Sequence, residues 1–306
     1  MTVFDLVFYE RARLEVDGEF RAALTAEQAI EMSINGLAAA LFKVRPHVLL
    51  SVSTFWPDVQ LFDQARRTGT KVVLLHTESP YEEERQLRLA PHADLNLLND
   101  PTNIAQYQAL APTVYAPHAY NPAVHCPGPS EEKPSDFAFC GTGYPSRVEF
   151  FEAMDLTGLD VALAGNWMNL ADESPLRRYV VHDLDECFDN ADTVGLYRAA
   201  RMGINLYRRE AERPELSAGW ALGPREVEMA AIGLPFLRDP RGEGDQVLPM
   251  LPTFTTPAEA TELLHWWLAH DSHRETAALQ AREAIQDRTF ENHAAKLLRL
   301  LQGSDH

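Results

Sequence analysis

The residues best suited to chemistry stand where short apolar runs give way to polar turns. The densest such place is Gly223–Asp239, GPREVEMAAIGLPFLRD. Gly223 caps a helix start, and Pro224 fits the first helical position because it has no N–H to leave unpaired. Glu226 and Glu228 put negative charge near the positive end of that helix. Ala230 and Ala231 allow a close approach to a sheet, Gly233 ends the helix in the left-handed conformation, and Leu234–Leu237 reads as a short strand. Arg225 and Glu228 are thereby held at the mouth of a helix–turn–strand unit. The same spacing also describes an ordinary i,i+3 surface pair.

Other candidates share this placement. His76 and Glu78 follow one strand-like run and precede a helix, and ligands of open α/β sheets sit outside the carboxyl ends of strands. Glu78 has a plain alternative role in capping the helix that follows. Gly141-Thr142-Gly143-Tyr144-Pro145-Ser146-Arg147 lets the backbone approach a ligand, and the helix after it offers N–H groups to phosphate. Gly165-Asn166-Trp167 is a turn whose tryptophan either flanks a nucleobase or packs inward. Asp183-Leu184-Asp185 has a metal-holding form, but in so acidic a chain it reads as a solvated loop. The histidines lack a complete set of zinc ligands, so no metal site is expected.

Alternating strands and helices must position these groups. Strands are expected at Phe4–Tyr9, Val48–Val52, Lys71–Leu75, Leu95–Leu98 and Val114–Ala116. Helices are expected from Thr25, with Gln28 completing a capping box, at Asp58–Arg67, at Glu82–Leu89 and at Asn103–Leu110. The alternation restarts with strand Phe137–Cys140, a helix Arg147–Met154 opened by a Ser146/Glu149 capping box, and strands at Val161–Ala164 and Ile204–Leu206. Helix Ala191–Ala200, a last short strand at Phe254 and a helical end from Pro257 complete the series. Such alternation implies parallel sheets with right-handed crossovers. The proline-rich stretch between the two series predicts an α/β protein of two units: 1–121, a linker 122–136, and 137–285, with a final helix 286–306 packing back on the first unit.

Composition narrows the function. The chain has 306 residues, 45% hydrophobic and 24% charged, as in a soluble globular protein with room for two cores. A net charge of −18 argues against a nucleic-acid or anionic-membrane binder, since phosphate backbones need a cationic face. No apolar run reaches membrane-span length, and the first residues lack the basic, apolar, small-residue order of a secretory signal, so none is expected. Three cysteines, Cys126, Cys140 and Cys187, read as reduced thiols of a cytoplasmic protein.

Glu228-Met229-Ala230-Ala231-Ile232-Gly233-Leu234-Pro235 resembles the donor-site segment of GT-B glycosyltransferases, and the preceding Pro224-Arg225 resembles more narrowly their spore-maturation (CgeB-like) branch. Pro117-His118-Ala119-Tyr120-Asn121-Pro122 is similar to the family hinge, Gly141–Arg147 to the first loop of its second domain, and Met202–Arg208 to its strand leading into a polar loop. The resemblance implies two Rossmann-like domains facing across a cleft, with a helical tail. It implies a metal-independent hexosyltransferase-type enzyme that takes a nucleotide-diphosphate sugar as donor substrate, needs no cofactor, and transfers to a protein or glycan acceptor. It assigns donor contacts to Gly141, Thr142, Gly143, Tyr144, Arg147, Gly165, Asn166, Trp167, Arg208 and Arg225, and the ribose hydroxyls to Glu228. It places the acceptor side in the first domain; if the reaction inverts the anomeric configuration, which the sequence leaves open, a base is needed there, and Glu78 is the candidate with His76 and His118 as alternatives. Many retaining members have a second glutamate where this chain has Trp220. Two other readings stay open: an inactive nucleotide-binding assembly protein, and a nucleotide-sugar epimerase of the same architecture.

Overall fold

The structure is a computed structural model that describes residues 13–16, 19–22, 26–54, 59–182, 190–212 and 218–303. The expected strand Phe4–Tyr9, the cap at Thr25, Asp58, the Asp183/Asp185 pair and Cys187 lie outside the described residues. The chain divides into two units, Met1–Tyr115 and Ala116–His306.

In the first unit, an antiparallel pair, β1 (Arg13–Val16) and β2 (Glu19–Ala22), precedes helix α1 (Ala26–Val44). Four parallel strands follow in the order β3 (Val48–Val52), β4 (Lys71–His76), β5 (Leu95–Leu98), β6 (Thr113–Tyr115). Their crossovers carry α2 (Val59–Arg67), α3 (Glu83–Leu89) and α4 (Ile104–Gln108). Val72, Val73 and Leu74 are fully buried, as a strand covered on both faces requires. Leu41, Leu61, Phe62, Val72, Leu74 and Leu89 join in one core. Strand β4 runs one residue further than its apolar run suggested, because His76 pairs with Leu98.

In the second unit, β7 (Ser135–Cys140), β8 (Val161–Ala164), β9 (Ala200–Asn205) and β10 (Phe236–Arg238) are parallel, in the order β10-β9-β7-β8. Single bridges, Leu163 to Val180 and Arg238 to Thr253, extend the sheet at both edges; the second is all that forms of the strand expected around Phe254. The chain enters mid-sheet at β7, moves one way to β8, then returns past β7 to β9. The order therefore reverses between β7 and β9, and ligands of open α/β sheets collect at such a reversal. Helices α5 (Pro145–Glu152), α6 (Asn190–Ala199), α7 (Pro224–Ile232), α8 (Gly242–Val247), α9 (Pro257–Ala269), α10 (Asp271–Ala284) and α11 (Phe290–Gly303) complete the unit.

Side-chain size differs between the two faces of this sheet. Phe137, Phe139, Leu163, Met202, Ile204 and Leu237 pack on one side with Phe151 and Phe254. Ala138, Ala162 and Ala164 pack on the other with Val227, Met229 and Ala230 of α7. Each fully buried Phe contributes roughly 1.5–3 kcal/mol, so the bulky face supplies much of the cohesion. The small face brings α7 close to the strands: a Cβ on Gly203 would lie 2.4 Å from Met229 Sδ. Gly233 ends α7 at φ 85°, as its sequence predicted. Helix α5 departs from expectation. It starts at Pro145 with Tyr144 as its cap, so Ser146 makes no capping box with Glu149. Proline at the first helical position decides the start. The expected linker 122–136 is bound into the second unit: Arg198 of α6 donates to Cys126 O from Nε at 2.9 Å and from Nη2 at 2.6 Å, and Ser130 Oγ donates to Gly195 O at 2.7 Å.

Candidate functional site

Arg225, in the first turn of α7, reaches across the reversal point of the second sheet. Its Nε donates to Cys140 O at 2.6 Å and its Nη1 to Asn205 Oδ1 at 2.7 Å, so it ties together the carboxyl ends of β7 and β9. The guanidinium lies 4.7 Å from the centre of the Phe139 ring. Its remaining nitrogen, Nη2, passes over Gly141, where a Cβ would approach to 2.5 Å. Glycine at 141 is thus needed for this arginine, and both acceptors of its hydrogen bonds, Cys140 O and Asn205 Oδ1, are neutral. A fixed, incompletely neutralised guanidinium at a sheet reversal is suited to an anion.

Glu228 follows one turn along α7 and is partly exposed. Burial pushes its pKa up to about 7, against the opposing pull of Arg225. Its neighbour Glu226 is fully buried and is likewise raised by burial to about 7. Glu226 Oε2 accepts from Gly223 N at 2.8 Å and from the Tyr207 hydroxyl, which closes the cap of α7 onto the loop after β9. Glu226 Oε1 and Asn205 Nδ2 are buried with no hydrogen-bond partner. Glu243 at the start of α8 holds the other side of this loop, accepting from Leu222 N at 2.7 Å and from Arg288 Nη2 at 2.6 Å.

The glycine-rich loop after β7 is built otherwise than expected. Gly141 N donates to Ala164 O and Gly143 N to Asn166 O, both at 2.8 Å, so these N–H groups serve the end of β8 and the loop after it and do not face a phosphate. Gly165, at φ 114°, would put a Cβ 2.5 Å from Gly141 O, so the two turns lie back to back. Ser146 N and Oγ, at the start of α5, donate to the Glu210 carboxylate at 2.9 and 3.1 Å, so this helix terminus holds an anion from its own chain. Arg147 is buried and clamps two loops, donating to Leu206 O at 2.9 Å and to Thr142 O at 3.0 Å. Arg208 donates to the Tyr144 hydroxyl at 3.4 Å. Trp167 is 1% exposed, its ring packed edge-on to Phe139 and against Gly143, so it is a core residue and not a nucleobase platform. A cavity of about 720 Å³ lies beside Thr142, Tyr144, Glu149 and Leu170.

In the first unit, His76 is buried, and its Nε2 pairs with Asn96 Oδ1 at 2.8 Å. Burial lowers its pKa to about 4. An imidazole so enclosed is a structural member of the sheet and not a solvent-facing base. Glu78 is partly exposed; its carbonyl accepts from Tyr81 N and Glu82 N, forming the turn into α3. His118, expected with the first unit, belongs to the second. Reading the sequence missed Asn205, His125, Tyr207 and Glu243. Asn205 was the detectable one, a lone amide at the end of an apolar strand. Among the described residues no group of three His, Cys, Asp or Glu could hold a metal ion, and no helix is long and apolar enough to cross a membrane.

A glycosyl transferase-like family model matches residues 147–299. No curated protein matches the sequence. Solved structures share the fold at low identity. Sucrose-phosphate synthase from Thermosynechococcus elongatus superposes with a TM-score of 0.63 at 15% identity, covering 95% of this chain and 82% of that one. The E. coli trehalose-6-phosphate protein bound with UDP-2-fluoro glucose gives 0.60 at 10% identity, over 90% and 78%. A Listeria monocytogenes protein assigned as a UDP-N-acetylglucosamine 2-epimerase gives 0.58 at 12% identity, over 93% and 81%. The fold is GT-B.

Proposed function

This chain belongs to the glycosyl transferase-like family, and from that premise we propose that it moves a hexosyl group from a nucleoside-diphosphate sugar to an acceptor hydroxyl without a metal ion. The observation that carries the reading is Arg225, fixed by Cys140 O and Asn205 Oδ1 at the reversal of the second sheet, one helical turn from Glu228. Arg225 Nη2 holds the diphosphate, and Glu228 accepts from the ribose hydroxyls. The E. coli structure bound with UDP-2-fluoro glucose supports a donor of this class for a related fold. We place the chain in the spore-maturation (CgeB-like) branch on Pro224-Arg225, and in the cytoplasm.

In the reaction the acceptor oxygen attacks the anomeric carbon, the bond from that carbon to the phosphate oxygen breaks, and the nucleoside diphosphate leaves. Charge builds on the departing phosphate, where a preorganised guanidinium stabilises the transition state more than the ground state. The acceptor proton goes to a carboxylate, for which Glu78 is our assignment. Trp220 stands where many retaining relatives have a glutamate, and it packs on Gly242, where a Cβ would lie 2.4 Å from the indole. On the absence of that second glutamate alone we propose inversion.

A thermal-shift screen of nucleoside diphosphates and their sugars, run in excess chelator, tests the donor. A ligand at a hundred times its Kd stabilises by about 2.7 kcal/mol. A selective shift is expected, followed by release of nucleotide when acceptor is supplied. A screen in which no nucleotide shifts the melting point sinks the reading. The epimerase reading draws on the Listeria structure of like fold. It would be supported instead if the donor were isomerised and no nucleotide released.

A further inference from the structure

A histidine that neither sequence reasoning nor the donor assignment uses lies beside Glu228. His125 Nε2 is 3.7 Å from Glu228 Oε1, with the imidazole 3% exposed and the carboxylate 21%. The ring is held from its other edge. Asn121 N donates to His125 Nδ1 at 3.3 Å, while His125 N donates back to Asn121 O at 2.8 Å, closing a turn that fixes the ring plane. An Nδ1 that accepts carries no proton, so the proton of the neutral ring is on Nε2, the atom facing Glu228. Burial pushes the His125 pKa down, against an opposing hydrogen bond with the Asn121 backbone, and the nearby Arg198 adds to the lowering. Arg198 is itself fixed by Val124 O at 3.3 Å and Cys126 O at 2.6 Å, so the whole 121–126 turn is braced on α6.

We propose that His125 is a positioning residue of the donor site: its Nε2–H steadies one oxygen of Glu228 and leaves the other to accept the ribose hydroxyls. This rests on the assignment of Glu228 to the ribose. A separation of 3.7 Å is longer than a hydrogen bond, and closing it to about 3.0 Å takes a movement of only roughly 0.7 Å. Turning the carboxylate toward a bound sugar ring is a movement of that size. A half-buried carboxylate whose surroundings favour its neutral form also needs a donor if it is to stay ionised. Arg225 supplies charge from one side, and His125 supplies a directed N–H from the other. The bond favours the carboxylate over the carboxylic acid and selects which oxygen points outward.

The test compares UDP and GDP with their 2′-deoxy forms by calorimetric titration, in the wild type and in His125→Gln, His125→Asn and His125→Phe. A glutamine amide nitrogen reaches the position of Nε2, whereas an asparagine amide reaches only that of Nδ1. The wild type should prefer the ribose form by about tenfold, the cost of one charged hydrogen bond. His125→Gln should keep most of that preference. His125→Asn and His125→Phe should reduce it below about threefold, at unchanged circular dichroism. A merely structural histidine would lower the melting temperature in all variants and leave the ribose preference alone. A preference undiminished in His125→Asn and His125→Phe overturns the inference. If His125→Phe does not fold, the Gln-against-Asn contrast decides alone. A wild type that binds neither nucleotide, or binds both sugar forms equally, overturns the donor reading itself, and the inference with it.

Discussion

At the end of β4 in the first unit, His76 is enclosed with Asn96, and nearby Glu83 accepts from Asn103 Nδ2 at 3.0 Å and from the Tyr107 hydroxyl. At the ends of β7 and β9 in the second unit, Arg225 is anchored by neutral acceptors and Glu228 stays partly exposed. Both places bury ionisable groups at strand ends, where α/β sheets bind ligands. They differ in what the burial leaves over. In the first unit the polar atoms are closed upon one another, and His76 is driven to neutrality with a pKa of about 4. In the second, one guanidinium nitrogen and one carboxylate remain presented, and the Glu228 pKa of about 7 lets its charge change near neutral pH. A strand-end position is therefore not enough to mark a reactive residue. What marks it is whether the fold has already spent the group's hydrogen bonds.

The largest expected effect would sharpen this contrast within the first unit. Glu78→Gln keeps size but cannot take a proton, so transfer should fall by roughly two to four orders of magnitude with donor affinity nearly unchanged. His76→Gln, two residues away, should leave transfer within a few-fold. Rates of transfer under saturating donor check both, and a folded His76→Gln protein without activity would reverse the assignment of roles.

In the second unit, Arg225→Ala should weaken nucleoside-diphosphate binding by about 10–150-fold, the range for a lost charged hydrogen bond. Gly141→Ala should do nearly as much without removing any charge, because its Cβ would meet Nη2 at 2.5 Å and displace the guanidinium. Calorimetric titration distinguishes them from bystanders: wild-type affinity in both variants would mean that the presented nitrogen binds nothing.

How far the sequence foretold all this varies with the kind of signal. The helix–turn–strand unit around α7 was legible almost to the residue, because Pro224 and Gly233 set its limits through backbone geometry alone. The β1–β2 pair was missed although Asp17-Gly18, the dipeptide most typical of a two-residue hairpin turn, lies between its strands. Its strands, RLEV and EFRA, carry charges at half their positions, which hid the alternation. At the site, Arg225 and Glu228 were visible as a pair, but the burial of Arg147 and Trp167 was not. Whether an arginine meets phosphate or clamps two backbone carbonyls depends on which loops fold over it, and those loops come from distant stretches of chain. His125 was invisible for the same reason, since its partner lies about a hundred residues away.

Titration gives a smaller, more graded contrast. Glu228 must be ionised to accept hydroxyls, so nucleotide affinity should rise by up to about tenfold between pH 6 and pH 8 and stay flat in Glu228→Gln. Stability of the ligand-free protein runs the other way. A carboxyl whose folded pKa is raised binds its proton more tightly when folded, so its stabilising contribution is present below about pH 4.5 and is lost as pH rises through 7. The melting temperature of Glu228→Gln relative to wild type should accordingly climb over that window. A constant difference would show that the carboxylate is not held against burial.

The smallest effect should come from His76. Its folded pKa is depressed, so below about pH 6.5 the unfolded chain takes up a proton that the folded one refuses, and stability falls toward pH 4. His76→Gln lacks this term. Its deficit against wild type, about 1 kcal/mol at pH 7.5 for one weakened hydrogen bond, should shrink and then reverse sign as pH is lowered to 4.5, because the wild type loses more than that to protonation of the unfolded chain. A deficit that grows with acidity would mean that the ring is charged in the folded protein and that the first unit is less closed than its hydrogen bonds indicate.

The stretch around Tyr120 has a consequence in time. Tyr120 N donates to Arg288 O at 2.9 Å, Phe290 N donates to Tyr120 O at 3.0 Å, and the Tyr120 hydroxyl donates to Gln286 O, 166 positions further along the chain. Synthesis delivers roughly 5–20 residues per second, so this early segment must wait on the order of 10–30 s for its partner to be made. Until then the tyrosine and the edge beside it have no native neighbour, and the second unit cannot be completed by anything short of nearly its whole length. A ribosome stalled before residue 286 should therefore carry a second unit that is still open to protease.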